Sequence, residues 1–192
     1  MSEVKNILLC GVGGQGTILA SKILSTALVA AGYDVKMSEI HGMSQRGGSV
    51  VTQVRYGEEV FSPIIGQGSA DIVVSFESME ALRYLSSLKK GGNLVVNNYQ
   101  IPTATTLSGV EQYPADSIEC LQKLAKTYVL DAAKIATDLG NPKSMNVVLL
   151  GALIKRMGLE SLDWDAALAA CMKPQFIELN KKALAAGMDA VA

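Results

Sequence analysis

A short apolar run, Ile7-Leu8-Leu9-Cys10, stops at the segment Gly11-Val12-Gly13-Gly14-Gln15-Gly16. This junction constrains the fold more than any other part of the chain. A brief apolar run closed by glycine reads as a buried strand, here Val4 to Cys10. Residues Gln15 to Ala31 read as a helix: Ile18, Ile23, Leu24, Ala27, Leu28 and Ala31 recur at roughly helical spacing, and Gly32 follows as a stop. Glycines at 11, 13 and 16 let the backbone turn tightly from strand to helix. The turn aims unpaired N–H groups outward, where an anion or a partner's carbonyl can accept from them. Asp34 to Ile40 reads as a second strand. The opening is therefore a βαβ unit, whose strands must be parallel and whose crossover is right-handed.

The pattern continues downstream. Ser49 to Tyr56 reads as a strand, with Gly57-Glu58 as a turn and Glu59-Val60-Phe61 pairing back as a hairpin. Asp71 to Phe76 is a buried strand followed by a helix from Ser78 to Leu88, and Gly91-Gly92 leads into a strand from Asn93 to Asn97. Ile101 to Pro114 is rich in Thr, Pro and Ser and reads as an irregular loop. A helix from Ile118 to Thr127, a short strand from Tyr128 to Leu130 and a helix opening at Asp131 come next. From Lys143 the pattern is helical, with breaks at Gly158 and Pro174. The fold class expected is α/β: a Rossmann-like, mostly parallel sheet flanked by helices, with a helical C-terminal third. Residues 1–192 form one domain in this reading, with 1–142 as the α/β core and 143–192 as the helical part.

Composition narrows the function. The chain is 49% hydrophobic and carries a net charge of −1, which argues against nonspecific binding to nucleic acid or an anionic membrane. No run approaches the ~18 apolar residues of a membrane span. The start, Met1 to Asn6, lacks a basic and apolar leader, so a cytoplasmic location is expected. Cys10, Cys120 and Cys171 are scattered and His41 is the single histidine, so the chain offers no zinc or iron–sulfur ligand set. Cys10, ending an apolar strand, reads as a small buried hydrophobe.

Three places carry polar groups suited to binding. The first is the Gly11–Gly16 loop itself. GxGxxG after a strand is a dinucleotide-binding pattern, and Glu39, near the end of the second strand, stands where an acid would hold a ribose. The same glycines also suit close helix–strand packing, or a partner or phosphate in a multi-subunit enzyme. The second is His41-Gly42-Met43-Ser44-Gln45-Arg46-Gly47-Gly48. Arg46 there offers five donors to a carboxylate or phosphate, Ser44 and Gln45 add neutral donors, and Gly47 allows close approach. His41 is a candidate proton carrier or an interface hydrogen-bonding group. The third is Glu77, at the carboxyl end of a strand, where α/β proteins place ligands; it also suits capping of the following helix. Asn97-Asn98 occupies the same end of the next strand.

Taken together, these segments are recognisable. ILLCGVGGQG (7–16), EIHGMSQRGG (39–48) and DIVVSFESMEALR (71–83) resemble, in order and spacing, three motifs of the gamma-type domain of 2-oxoacid:ferredoxin oxidoreductases. Length and a lone domain resemble the small subunit of that family's indolepyruvate branch; pyruvate and other 2-oxoacid enzymes share similar gamma domains. The resemblance implies oxidative decarboxylation of a 2-oxo acid on thiamine diphosphate with Mg, electrons leaving through Fe–S clusters to ferredoxin, and acyl transfer to coenzyme A. It places the thiamine and the clusters in a large alpha subunit, with no cofactor bound by this chain alone. The chain's own residues agree with that division, since it has neither a cluster-binding cysteine set nor a Gly-Asp-Gly thiamine signature. Arg46 would then face a substrate carboxylate or a coenzyme A phosphate, with Gln15 shaping the region. Apolar surface meant for the large subunit would let the isolated chain form a homodimer. A stand-alone dinucleotide-binding module is the alternative.

Overall fold

The computed structural model describes residues 3–42 and 47–192. Six strands form one sheet in the order β2-β3-β1-β4-β5-β6. They are β1 (Lys5–Val12), β2 (Asp34–His41), β3 (Ser49–Gly57), β4 (Ala70–Ser75), β5 (Leu88–Asn97) and β6 (Lys126–Leu130). β3 runs antiparallel to both β1 and β2, and the pairs β1–β4, β4–β5 and β5–β6 are parallel. β1 and β2 thus point the same way, as a βαβ unit demands, but with β3 seated between them.

Helices α1 (Thr17–Ala30), α5 (Ala132–Asp138), α6 (Met145–Met157), α7 (Trp164–Cys171) and α8 (Ile177–Asp189) cover one face of the sheet. α2 (Ser78–Tyr84) and α4 (Ser117–Leu124) cover the other. Ile7 and Leu9 pack into the larger cluster, Leu8 and Cys10 into the smaller. Both faces are covered, which is why β1 and β4 read as unbroken apolar runs rather than alternating ones. A four-residue helix, α3 (Ala104–Leu107), interrupts the loop after β5. Among the described residues, no helix is long and apolar enough to cross a membrane.

The hairpin expected at Glu59–Phe61 does not form. β2 and β1 occupy both edges of β3, so no free edge is left for the returning chain. Polar groups hold that chain instead. Val60 N donates to Asp34 Oδ2 (2.8 Å), Ile65 N donates to Gln53 Oε1 (2.6 Å), and Arg55 Nη1 donates to the Ser62 carbonyl (2.8 Å). β5 also starts earlier than the glycine pair suggests, at Leu88, and β6 starts at Lys126. α2 gives way at Leu85 to a single 3₁₀ turn, and α4 ends at Leu124.

α6 and α8 meet through bare backbone. A Cβ on Gly187 would lie 1.9 Å from the Val148 carbonyl oxygen, and one on Gly151 would lie 2.1 Å from that of Leu184. α6 is buried nearly all round, from Asn146 to Ile154, because the sheet lies on one side of it and α8 on another.

Candidate functional site

The glycine loop follows directly from β1, which runs to Val12 because β3 pairs with it as far as Ser49. Gln15 N donates to the Val12 carbonyl (3.2 Å), closing a turn in which Gly14 takes φ 102°. Gly16 (φ 83°) then caps α1. Among the described residues no side chain caps this helix, and its first turn carries no acid to offset the positive end of its dipole.

Gln15 is the brace of the loop. Its Oε1 accepts from Val12 N (2.7 Å) and its Nε2 donates to the Phe76 carbonyl (2.8 Å), joining the ends of β1 and β4. Gly11 lies under the brace: a Cβ there would come within 2.8 Å of both Gln15 Oε1 and Phe76 Cβ. Asn146, at the start of α6, donates to the Gly16 carbonyl (3.2 Å). Gln15→Leu should therefore orphan a partly buried N–H and a carbonyl. The expected loss is about 2 kcal/mol, read as a shift in urea midpoint with unchanged slope; an unchanged midpoint would show that the brace is not made.

The two glycine-rich segments touch. Gly13 N donates to the Gly48 carbonyl (2.9 Å), and Gly47 takes φ 78°. Ser44, Gln45 and Arg46 lie outside the described residues. Gly13 and Gly14 separate two hollows. One, about 410 Å³, is walled by Gly16, Thr17, Ile18, His41 and Val50 as well as the glycine pair. The other, about 540 Å³, is walled on its far side by Tyr99, Ile101, Ala133, Thr137, Pro142 and Met145, with Gln15 near the partition. Both sizes suit a group as large as part of a cofactor or substrate.

The remaining candidates fall into two groups. His41 is exposed at the end of β2 and borders the first hollow. Glu39 is exposed on β2 opposite Thr52, one strand further from the loop than it would be if β1 and β2 were neighbours. Glu77 is fully buried and caps α2: Oε2 accepts from Glu80 N (3.0 Å), Oε1 accepts from Ile101 N (3.2 Å), and the Tyr113 hydroxyl donates to Oε1. Its carboxylate thus pins the long loop after β5 to the start of α2. Asn97, also fully buried, donates to the Phe76 carbonyl (3.1 Å) and accepts from Ala132 N (3.0 Å), tying β4 to α5.

Two acidic or thiol groups nearby are shifted by burial. Burial raises the Glu80 carboxyl above its ordinary value despite the hydroxyl of Ser49 donating to it (2.5 Å) and Arg83 beside it (3.2 Å). Burial likewise pushes the Cys10 thiol up to about 12, consistent with a packing rather than a nucleophilic residue. Among the described residues, no three His, Cys, Asp or Glu gather as a metal site. Tyr99, Ile101, Met145 and Asn146 border the loop, and none of them is among the candidate site residues read from the sequence. Only the N-terminal boundary of the last helical region pointed to Met145 and Asn146, and nothing in the loop's composition distinguished Tyr99 or Ile101.

The family model for pyruvate ferredoxin/flavodoxin oxidoreductase matches residues 6–190. The chain belongs to that family. It is 39% identical to indolepyruvate oxidoreductase subunit IorB of Pyrococcus horikoshii, the match covering 96% of this chain and 95% of the relative. Among solved structures, pyruvate oxidoreductase subunit PORC of Thermotoga maritima superposes with a TM-score of 0.73 at 25% identity, covering 98% of this chain and 97% of that one. A 2-oxoglutarate:ferredoxin oxidoreductase from Magnetococcus marinus, with 2-oxoglutarate, coenzyme A and succinyl-CoA bound, shares the fold at 19% identity and a TM-score of 0.73. All of this chain corresponds to 31% of that longer polypeptide. The fold therefore occurs both as a separate subunit and as one part of a longer chain.

Proposed function

We propose that this chain is the small subunit of a ferredoxin-dependent oxidoreductase that converts indolepyruvate or a related arylpyruvate to its acyl-CoA. The observation that carries the reading is the 39% identity to a subunit of nearly equal length named for indolepyruvate oxidation. A more distant relative named as a subunit of 2-oxoglutarate synthase, 30% identical, marks the neighbouring specificity. The large subunit carries thiamine diphosphate with Mg and the Fe–S clusters. Residues of this chain do not fit those groups: Cys10 is buried in the core, and no metal-binding set forms among the described residues. Thiamine supplies the carbanion-stabilising chemistry from the partner.

In this reading the chain completes the partner's site. The glycine partition and the uncapped start of α1 present backbone donors and positive potential to an anionic group, either the substrate carboxylate or a phosphate of coenzyme A. Arg46 adds a guanidinium in the segment that leads to Gly48. His41 borders the same hollow. Ile18 and Val29 on α1 and Met37 and Ile40 on the edge strand β2 are exposed and apolar, which suits a permanent subunit contact. The complex works in the cytoplasm, and the isolated chain self-associates through that apolar edge.

Co-expression with the large subunit tests this. Indolepyruvate- and coenzyme A-dependent reduction of methyl viologen is expected only when both chains are present. Arg46→Ala in the assembled complex should lower kcat/KM at least about tenfold, with assembly by gel filtration unchanged. Turnover by the isolated chain, or saturable NAD binding weakened by Gly13→Ala, would instead favour the stand-alone dinucleotide module. A preference for pyruvate would move the chain to the gamma subunits of the pyruvate enzymes.

A further inference from the structure

The end of the sheet opposite the glycine loops carries a cluster of cations. Lys5 begins β1, Lys89 and Lys90 lie near the start of β5, and Lys126 begins the edge strand β6. Lys155 and Arg156 end α6, and Lys123 ends α4. Three of these are paired with acids: Lys5 with Glu3, Lys89 with Asp71, and Lys155 with Glu160. Lys90, Lys123, Lys126 and Arg156 take part in no ion pair among the described residues. The whole chain has a net charge of −1, so this concentration is local.

Two of the unpaired cations share one ring. The Arg156 guanidinium carbon lies 4.5 Å from the centroid of Tyr128, and Lys126 Nζ lies 5.7 Å from it. Partial burial raises the Tyr128 phenol, yet Lys126 and Arg156 together bring it below its ordinary value. Arg156 Nε is buried and has no hydrogen-bond partner. A lysine on an edge strand discourages sheet extension, which accounts for Lys126 alone. The last turn of a helix favours a cation, which accounts for one charge on α6. Neither explains why two cations converge on one ring, since the neighbouring acids Asp71 and Glu160 are paired with Lys89 and Lys155.

Shallow hollows of about 200 and 220 Å³ flank Gly91-Gly92 within this cluster. Both are smaller than the ~300 Å³ at which pockets begin to enclose a small ligand. The surface suits an extended face rather than a free metabolite. Its character also differs from that of the β2 edge. Permanent interfaces are rich in apolar contact, whereas charge-steered encounters are small and polar.

We propose that the Lys90–Lys126–Arg156 surface is a docking site for an acidic face of a transient protein partner. Carboxylates arriving there meet unpaired ammonium groups and a guanidinium already held over the Tyr128 ring. That pre-organisation lowers the ordering needed on contact. The site lies at the other end of the strands from the glycine partition, so both can be occupied together.

The test uses the full chain and a labelled decaglutamate peptide followed by fluorescence anisotropy. Binding at a single site is expected, weakening as salt rises from about 20 to about 200 mM. Lys90→Glu with Lys126→Glu should weaken it at least about tenfold. Arg156→Gln should weaken it separately. The control pair Lys22→Glu with Lys173→Glu, which changes exposed lysines elsewhere, should leave it unchanged. Circular dichroism melting of each variant separates lost binding from lost fold, and Lys90→Glu alone serves if the double variant unfolds. Equal losses in the control pair, no loss in the Lys90/Lys126 pair, or tighter binding of an RNA of the same charge than of the peptide would each overturn the proposal.

Discussion

Gly187→Ala should destabilise the chain by about 3 kcal/mol, enough to lower the melting temperature by about 6–12 °C in a protein of this size. The added methyl would start 1.9 Å from the Val148 carbonyl oxygen. That oxygen belongs to the backbone of the first turn of α6 and has no rotamer by which to move aside. The helices must separate, and α6 cannot shift without disturbing the core it shares with β4 and β5. Alanine in place of a helical glycine stabilises by only about 1 kcal/mol, so the overlap dominates. Thermal denaturation followed by circular dichroism reads the result. Ala185→Gly, on the exposed face of the same helix, supplies the comparison and should lose no more than about 1 kcal/mol. A Gly187→Ala protein as stable as the parent would mean that α6 and α8 do not cross there.

Glu77→Ala is expected to lose a similar amount, about 3 kcal/mol, for a different reason. The change removes a helix cap, worth about 1 kcal/mol, and leaves Glu80 N, Ile101 N and the Tyr113 hydroxyl without their acceptor. Unsatisfied buried donors add about 1–3 kcal/mol each where water cannot reach them. Hydrogen exchange should show the effect locally: the Ile101 amide loses protection far more than amides of β1. Tyr113→Phe removes one of the three donors and also the acceptor of Met79 N, and should lose about 1–2 kcal/mol. If Glu77→Ala left stability intact while abolishing turnover of the assembled enzyme, the carboxylate would belong to the chemistry and not to the cap.

Much of the architecture was legible because burial on both faces leaves continuous apolar runs. β1 and β4 announced themselves in this way, and the glycine loop announced the helix after β1. The place of β3 was not legible. Nothing in Ser49–Tyr56 distinguishes a strand beside β2 alone from one inserted between β2 and β1. The expected hairpin failed for the same reason: local turn chemistry at Gly57-Glu58 cannot know that both edges of β3 are taken. Gly151 and Gly187 were equally silent, since a glycine inside a helix reads only as weakened propensity until its neighbour is known. At the site, Gln15 was visible only as a polar residue that helps shape the loop region, and Glu77 as a cap or a ligand group. The convergence of Tyr99, Ile101 and Met145 on the far hollow depends on contacts across more than 80 residues of chain and has no local signature.

The thinness of Gly13-Gly14 has a consequence for whatever occupies the space around it. With no side chains, the party wall between the two rooms is one strand of main chain thick. Guests on its two sides would feel each other through peptide groups alone, so filling one room would alter the welcome in the other. Gly14 already holds a backbone angle of 102° that side chains resist, so the wall stays bare by conformation as well as by size.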